Sequence, residues 1–202
     1  VLTVYNRTYA NNNTGSSVSY VDLGDGNNTA SIADSTGSTN LTLESGAGVD
    51  VVDVVIDGET GNSSGYGQSL NIDVGAGADV LTLSSSVSIS DGWLRGDVSI
   101  HLGDGNDKLT ITGLPSSYLV DAGLGDDSIS VSIDADYYDW GGGDPNPVTI
   151  NLGEGKNNLI GNIAGGSVEV AGGLGNDSVS LVLYADESYY YNFTAKPAVI
   201  KL

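Results

Sequence analysis

The sequence offers its chemistry in seven short elements of the form Gly-x-Gly-x-(Asp/Asn): Gly24 to Asn28, Gly46 to Asp50, Gly75 to Asp79, Gly103 to Asp107, Gly123 to Asp127, Gly153 to Asn157 and Gly173 to Asp177. Their second glycines are Gly26, Gly48, Gly77, Gly105, Gly125, Gly155 and Gly175. Paired glycines let the backbone take conformations closed to other residues and expose carbonyl oxygens, and the Asp adds a carboxylate. One such turn makes a poor site. Turns stacked about 4.8 Å apart bring neighbouring carbonyls and two Asp side chains towards one hard cation, which takes roughly six to eight oxygens. Calcium suits an all-protein cage of flexible oxygens better than magnesium, which keeps its water.

Strands must position these turns. Apolar residues alternate on both sides of each element: Val98, Ile100 and Leu102 lead into one turn, and Leu109 and Ile111 leave it, with Thr110 pointing the other way. Ile129, Val131 and Ile133 repeat the pattern, as do Val179, Leu181 and Leu183. The first glycines are spaced 22, 29, 28, 20, 30 and 20 residues apart, so short and long units alternate irregularly. A second repeat, of 50 residues, lays Ser128 to Asp136 on Ser178 to Asp186 and Val148 to Leu152 on Ala198 to Leu202. Repeats of this kind predict a solenoid. Leu2 to Leu23 matches Leu181 to Leu202 in length, so both ends are expected to be cut mid-repeat from a longer protein. The alternative is a chain that caps itself with its Tyr-rich tail.

Composition narrows the field. The 202 residues hold 30 glycines, 26 acids against six bases, and no Cys or Met. Glycine at this density disfavours helix by about 1 kcal/mol per position, while Val, Ile, Ser and Thr favour strands and turns. A formal charge of −20 argues against nucleic acid and an anionic membrane surface and for small cations. Without cysteine there is no disulfide framework and no thiolate metal site. No apolar run approaches the roughly 20 residues of a membrane span, so no membrane insertion is expected. The chain opens on no signal-peptide pattern, which places any secretion signal outside it.

Leu102-Gly-Asp-Gly-Asn-Asp-Lys-Leu109 and Gly172-Gly-Leu-Gly-Asn-Asp-Ser-Val179 resemble the Gly-Gly-x-Gly-x-Asp-x-apolar-x nonapeptide of the RTX, or haemolysin-type, calcium-binding proteins. The resemblance covers Leu23 to about Leu183. It implies a right-handed parallel β-roll, calcium between stacked turns, secretion by Gram-negative bacteria, and folding once calcium is met outside the cell. It also implies carboxylate ligands at Asp50, Asp79, Asp107, Asp127 and Asp177, with carbonyl ligands from the turn glycines. The chain departs from the family in having one turn per 20 to 30 residues, so calcium is expected along one edge only, with loops of varying length on the other. Only Gly172 fills the family's first glycine position; Leu23, Ser45, Val74, Leu102, Ala122 and Leu152 replace it elsewhere. Asn28 and Asn157 stand where an Asp is expected and should weaken their sites. Glycine turns can also shape a metal-free β-helix in which Asp bonds locally to backbone N–H groups.

The expected fold is therefore all-β: one β-solenoid domain over residues 1–202, with stacked Gly-x-Gly-x-Asp turns along one edge. Its long loops, Asp57 to Ser69, Ser84 to Asp97, Asp134 to Pro147 and Tyr184 to Pro197, hold nearly all the aromatics outside the strands. Tyr137, Tyr138 and Trp140 with Tyr189 to Tyr191 and Phe193 offer either a platform for carbohydrate or a protein partner, or a cover for the far edge. Arg95-Gly-Asp97 is an integrin-type tripeptide short enough to arise by chance. His101 is the only histidine, so a histidine triad or transition-metal site lacks its parts. Asp134 to Asp144 gathers four carboxylates but lacks the closing Glu of an EF-hand. The leading functional expectation is a calcium-binding structural or adhesive segment of a large secreted or cell-surface bacterial protein, extracellular and without catalytic residues. The alternatives are an accessory calcium module of an exoenzyme or toxin, or a polysaccharide-active β-helix enzyme. Exposed solenoid ends add an expectation of end-to-end self-association.

Overall fold

A computed structural model of the chain describes residues 1–6, 17–34, 39–56, 69–85, 97–113, 117–134, 147–164, 166–184 and 198–202. The period-two alternation becomes sixteen strands: β1 (Leu2–Asn6), β2 (Ser17–Asp22), β3 (Thr29–Asp34), β4 (Thr39–Glu44), β5 (Val51–Ile56), β6 (Ser69–Asp73), β7 (Val80–Ser85), β8 (Asp97–His101), β9 (Lys108–Thr112), β10 (Ser117–Asp121), β11 (Ser128–Asp134), β12 (Val148–Asn151), β13 (Asn158–Ala164), β14 (Val168–Ala171), β15 (Ser178–Tyr184) and β16 (Ala198–Lys201). No helix occurs among the described residues. Odd-numbered strands form one eight-stranded sheet in the order β1 to β15, even-numbered strands the other in the order β2 to β16, and the strands of both sheets pair in parallel. Each strand therefore pairs with the one two places along the chain. The architecture is the all-β parallel solenoid that the repeats predict.

The two inner faces meet as a single core. Leu81, Leu109, Ile129 and Leu159 lie in one register column of the odd sheet, and Ile72, Ile100, Val120 and Ile150 in one column of the even sheet. All eight are essentially inaccessible to water. Burial of each such side chain contributes roughly 1.5–3 kcal/mol, and the outward neighbours Ser, Thr and Asn leave the alternation unbroken. Every Gly-x-Gly turn joins an even strand to the odd strand that follows it, so all seven fall on one edge of the stack. There the backbones pair as well, through parallel bridges from Ala47 to Ala76, Asp104, Leu124 and Glu154. The links from odd to even strands start and end on the opposite edge. The long ones, including the aromatic clusters, the acidic run after Asp134, and Arg95-Gly96, lie outside the described residues.

Candidate metal centre

Stacking of the turns depends on glycine at two places. Gly103 has φ +91° and Gly105 φ +153°, and a Cβ on either would overlap the carbonyl oxygen of the matching glycine one rung earlier, Gly75 or Gly77. The carbonyl of Gly77 thus points at the Cα–H of Gly105, a close approach that a side chain would prevent. The first-glycine carbonyls also accept backbone bonds from the next rung, as Leu124 N–H donates to Gly103 O at 3.0 Å.

Beneath this backbone column runs a column of carboxylates. Asp50, Asp79, Asp107, Asp127 and Asn157 are all 2% exposed or less, while Asn28 and Asp177, on the two outermost turns, are half-buried. Each backbone N–H donates to the side-chain Oδ1 of the corresponding residue one rung on: Asn28 to Asp50 at 2.7 Å, Asp50 to Asp79 at 2.6 Å, Asp79 to Asp107 at 2.8 Å, Asp107 to Asp127 at 2.8 Å, Asp127 to Asn157 at 2.9 Å and Asn157 to Asp177 at 3.0 Å. The structure thus brings all seven sequence-predicted Asp and Asn positions into one line. The bonds run between rungs 20 to 30 residues apart, not within a turn as in an ordinary Asx turn. An outer line runs the opposite way, with Asp126 N–H donating to Asn106 Oδ1 and Lys156 N–H to Asp126 Oδ1. Asn106 and Asp126 were not singled out from the sequence; their only signal there is an Asx residue directly before the turn Asp.

The second carboxylate oxygen has a different environment. On one rung Ser45 Oγ donates to Asp50 Oδ2. On another, a Cβ on Gly172 would overlap Asp177 Oδ2. Oδ2 therefore faces the residue five places upstream, the family's first glycine position. On the middle rungs that residue is Val74, Leu102 or Ala122, each buried and apolar. Asp79, Asp107 and Asp127 Oδ2 are accordingly buried without a hydrogen-bond partner, as is Asn157 Nδ2 beside Leu152. An unpartnered buried oxygen of this kind calls for a proton or a cation.

Electrostatics agree with that reading. Burial pushes the Asp107 carboxyl up to about 6; the Asp79 N–H partly offsets this, and the carboxylates of Asp127, Asp79 and Asp104 add to it. Burial likewise raises Asp79 and Asp127, against the stabilising N–H of Asp50 and Asp107 respectively. Among the described residues no three acidic or His side chains converge on one point, so a bound ion would depend on main-chain oxygens. On the first turn two such oxygens converge. Asn28 Nδ2 donates to Gly24 O at 3.2 Å and to Gly26 O at 2.8 Å, marking a point that both turn carbonyls share. The amide of Asn28 closes that point on its own rung; on the Asp rungs the side chain offers only acceptors. The carboxylates of Asp50, Asp79, Asp107 and Asp127 are of the all-acceptor kind that a hard cation takes, whereas the NH₂ groups of Asn28 and Asn157 are donors.

Comparison with protein-family models, with curated proteins and with solved structures returns no match to this chain.

Proposed function

We propose that the chain is a calcium-binding structural or adhesive segment of a large secreted or cell-surface bacterial protein, of the RTX type, in which ions between successive turns rigidify a solenoid. The observation that carries this reading is the column of buried carboxylates with unpartnered Oδ2 atoms at Asp79, Asp107 and Asp127. Carboxylates of Asp50, Asp79, Asp107 and Asp127, together with carbonyls of their turn glycines, would hold the ions, which would supply the charge that burial demands. Asp177, half-buried on the last turn, is a weaker member.

A second reading has its own support. Asn157 Oδ1 accepts the Asp127 N–H as its Asp counterparts do, so the inner line can serve as a hydrogen-bonded spine without metal. Far-ultraviolet circular dichroism during calcium titration of chelator-treated protein, with magnesium as control and calorimetry to count ions, separates the two. A calcium-specific gain of β-structure is the expected result. Full β-structure in chelator at pH 7.5, with no heat of calcium binding, would overturn the calcium reading in favour of the spine.

A further inference from the structure

Among the described residues Asn157 is the one buried amide of the inner column, which otherwise buries the carboxylates of Asp50, Asp79, Asp107 and Asp127. Its Oδ1 accepts the Asp127 N–H at 2.9 Å, so its Nδ2 stands where each Asp of the column places Oδ2. That Nδ2 and Asp127 Oδ2 are both buried, and neither has a partner. One is a donor and the other an acceptor, on rungs that the pairing of Ser128 with Asn158 sets side by side. Rungs lie about 4.8 Å apart, too far for a direct hydrogen bond. Two hydrogen bonds of about 2.8 Å that meet at one oxygen cover this span with an angle of about 120° between them. A site closed to solvent, with a donor on one side and an acceptor on the other, meets the needs of a buried water.

We infer that the interval between Asp127 and Asn157 holds a water molecule and no cation, and that Asn157 thereby ends the run of cation intervals on its side. The water accepts from Asn157 Nδ2 and donates to Asp127 Oδ2. A carboxylate oxygen has two acceptor positions, so Asp127 Oδ2 keeps the other for the interval it shares with Asp107. A cation in place of the water would meet the hydrogens of the amide and the charge of a single carboxylate. Asn28 bounds the run on the other side in its own way. Its Nδ2 donates to both turn carbonyls, Gly24 O and Gly26 O, and so takes the place a cation would need. Between the two amides, Asp50 faces Asp79, Asp79 faces Asp107 and Asp107 faces Asp127, which leaves three intervals with a carboxylate on both rungs. The stop rests on the calcium reading; the water rests on the buried donor and acceptor alone.

Two measurements on the full chain at pH 7.5 test this. The first needs no variant: water-selective nuclear magnetic resonance of the Asn157 side-chain NH₂, in calcium or in chelator, whichever circular dichroism shows to be the folded condition. Cross-relaxation from a long-lived water to both NH₂ protons is expected, and an assigned NH₂ without it overturns the water site. The second counts calcium ions by calorimetry in the unmodified chain and in Asn157→Asp, which keeps an acceptor for the Asp127 N–H and puts an oxygen in place of the NH₂. The variant is expected to take up one ion more per chain. An equal count in a folded variant overturns the stop. Should Asn157→Asp fail to fold, the water signal decides, because a water held there excludes a cation from the interval. A chain that is folded in chelator and takes up no calcium sinks the calcium reading and the stop with it, and the water signal then decides the site alone.

Discussion

On the proposed calcium reading, removing cations from the turn column should reverse the way this protein responds to acid. Asp50, Asp79, Asp107 and Asp127 are buried on consecutive rungs, which β-stacking sets about 4.8 Å apart. Two carboxylates at that distance repel by about 3 kcal/mol at an effective dielectric constant near 20 and by about 1 kcal/mol at that of water. Three neighbouring pairs sum to roughly 3–10 kcal/mol, comparable with the whole stability of an ordinary domain, roughly 5–15 kcal/mol. The fully ionised, cation-free column therefore brings the fold close to unfolding at neutral pH. Protons relieve it. The Asp107 carboxyl lies at about 6 in the fold against an ordinary 3.8, and Asp79 and Asp127 are shifted in the same direction. A carboxyl whose folded value is raised binds its proton more tightly in the fold than in the unfolded chain. Stability is then gained as pH falls through about 6 and is complete below the unfolded value. Asp107 alone contributes roughly 1–3 kcal/mol after allowance for solvent screening. Thermal melts in chelator should consequently rise by roughly 5–20 °C between pH 7.5 and pH 4.5. Excess calcium should invert the order, because protons then compete with the ion and acidification weakens the fold. Melts in chelator that are flat or falling over this range would refute the argument, since they would mean that the carboxylates carry no burial cost.

Asp107→Asn separates charge from hydrogen bonding, because the amide oxygen still accepts the Asp79 N–H: in chelator at pH 7.5 it should raise the melting temperature, and in calcium it should lower both ion count and stability, as melts and calorimetry would show. Asp107→Ala removes the same charge and also leaves that buried N–H unpaired, so it should be less stable than Asp107→Asn by about 1–3 kcal/mol in either condition by urea unfolding. Gly105→Ala drives a Cβ into the Gly77 carbonyl oxygen at φ +153° and should destabilise by more than about 2 kcal/mol, whereas Gly26→Ala, at φ +100° with open space around it, should cost about 1–2 kcal/mol; equal costs would deny the close stacking of turn backbones. Leu102→Ala removes a fully buried side chain from the start of a turn and should cost about 2–5 kcal/mol in a chemical melt.

What the sequence disclosed and what it withheld divide along one physical line. Everything with a local signature was legible: the inward column of Leu109 and Ile111 against outward Thr110, the turn glycines, and the placing of all seven turns on one edge follow from period two and from glycine pairs. Properties of the stack were not. The carboxylate of Asp127 bonds to the N–H of Asp107, 20 residues away, and Asn157 to that of Asp127, 30 away, although the intervening links differ in length; only parallel register makes the two bonds equivalent. For the same reason the replacement of the family's first glycine by Val74, Leu102 and Ala122 reads in sequence only as a departure from the family's pattern. In the fold it is the feature that deprives Oδ2 of a partner, since Ser45 at the same place satisfies Asp50. Apolar residues there add to the core and at the same time expose the carboxylate to a cost that a hydroxyl would have relieved. That trade makes sense for turns in which a bound cation supplies the missing partner. It would be a plain loss for a spine that works by hydrogen bonds alone, so introducing a hydroxyl tells the two apart. Ala122→Ser should stabilise the cation-free chain by giving Asp127 Oδ2 a donor, and in calcium it should gain little, because the oxygen is already engaged. A gain of equal size in both conditions, measured by thermal melts at pH 7.5, would assign the column to the spine.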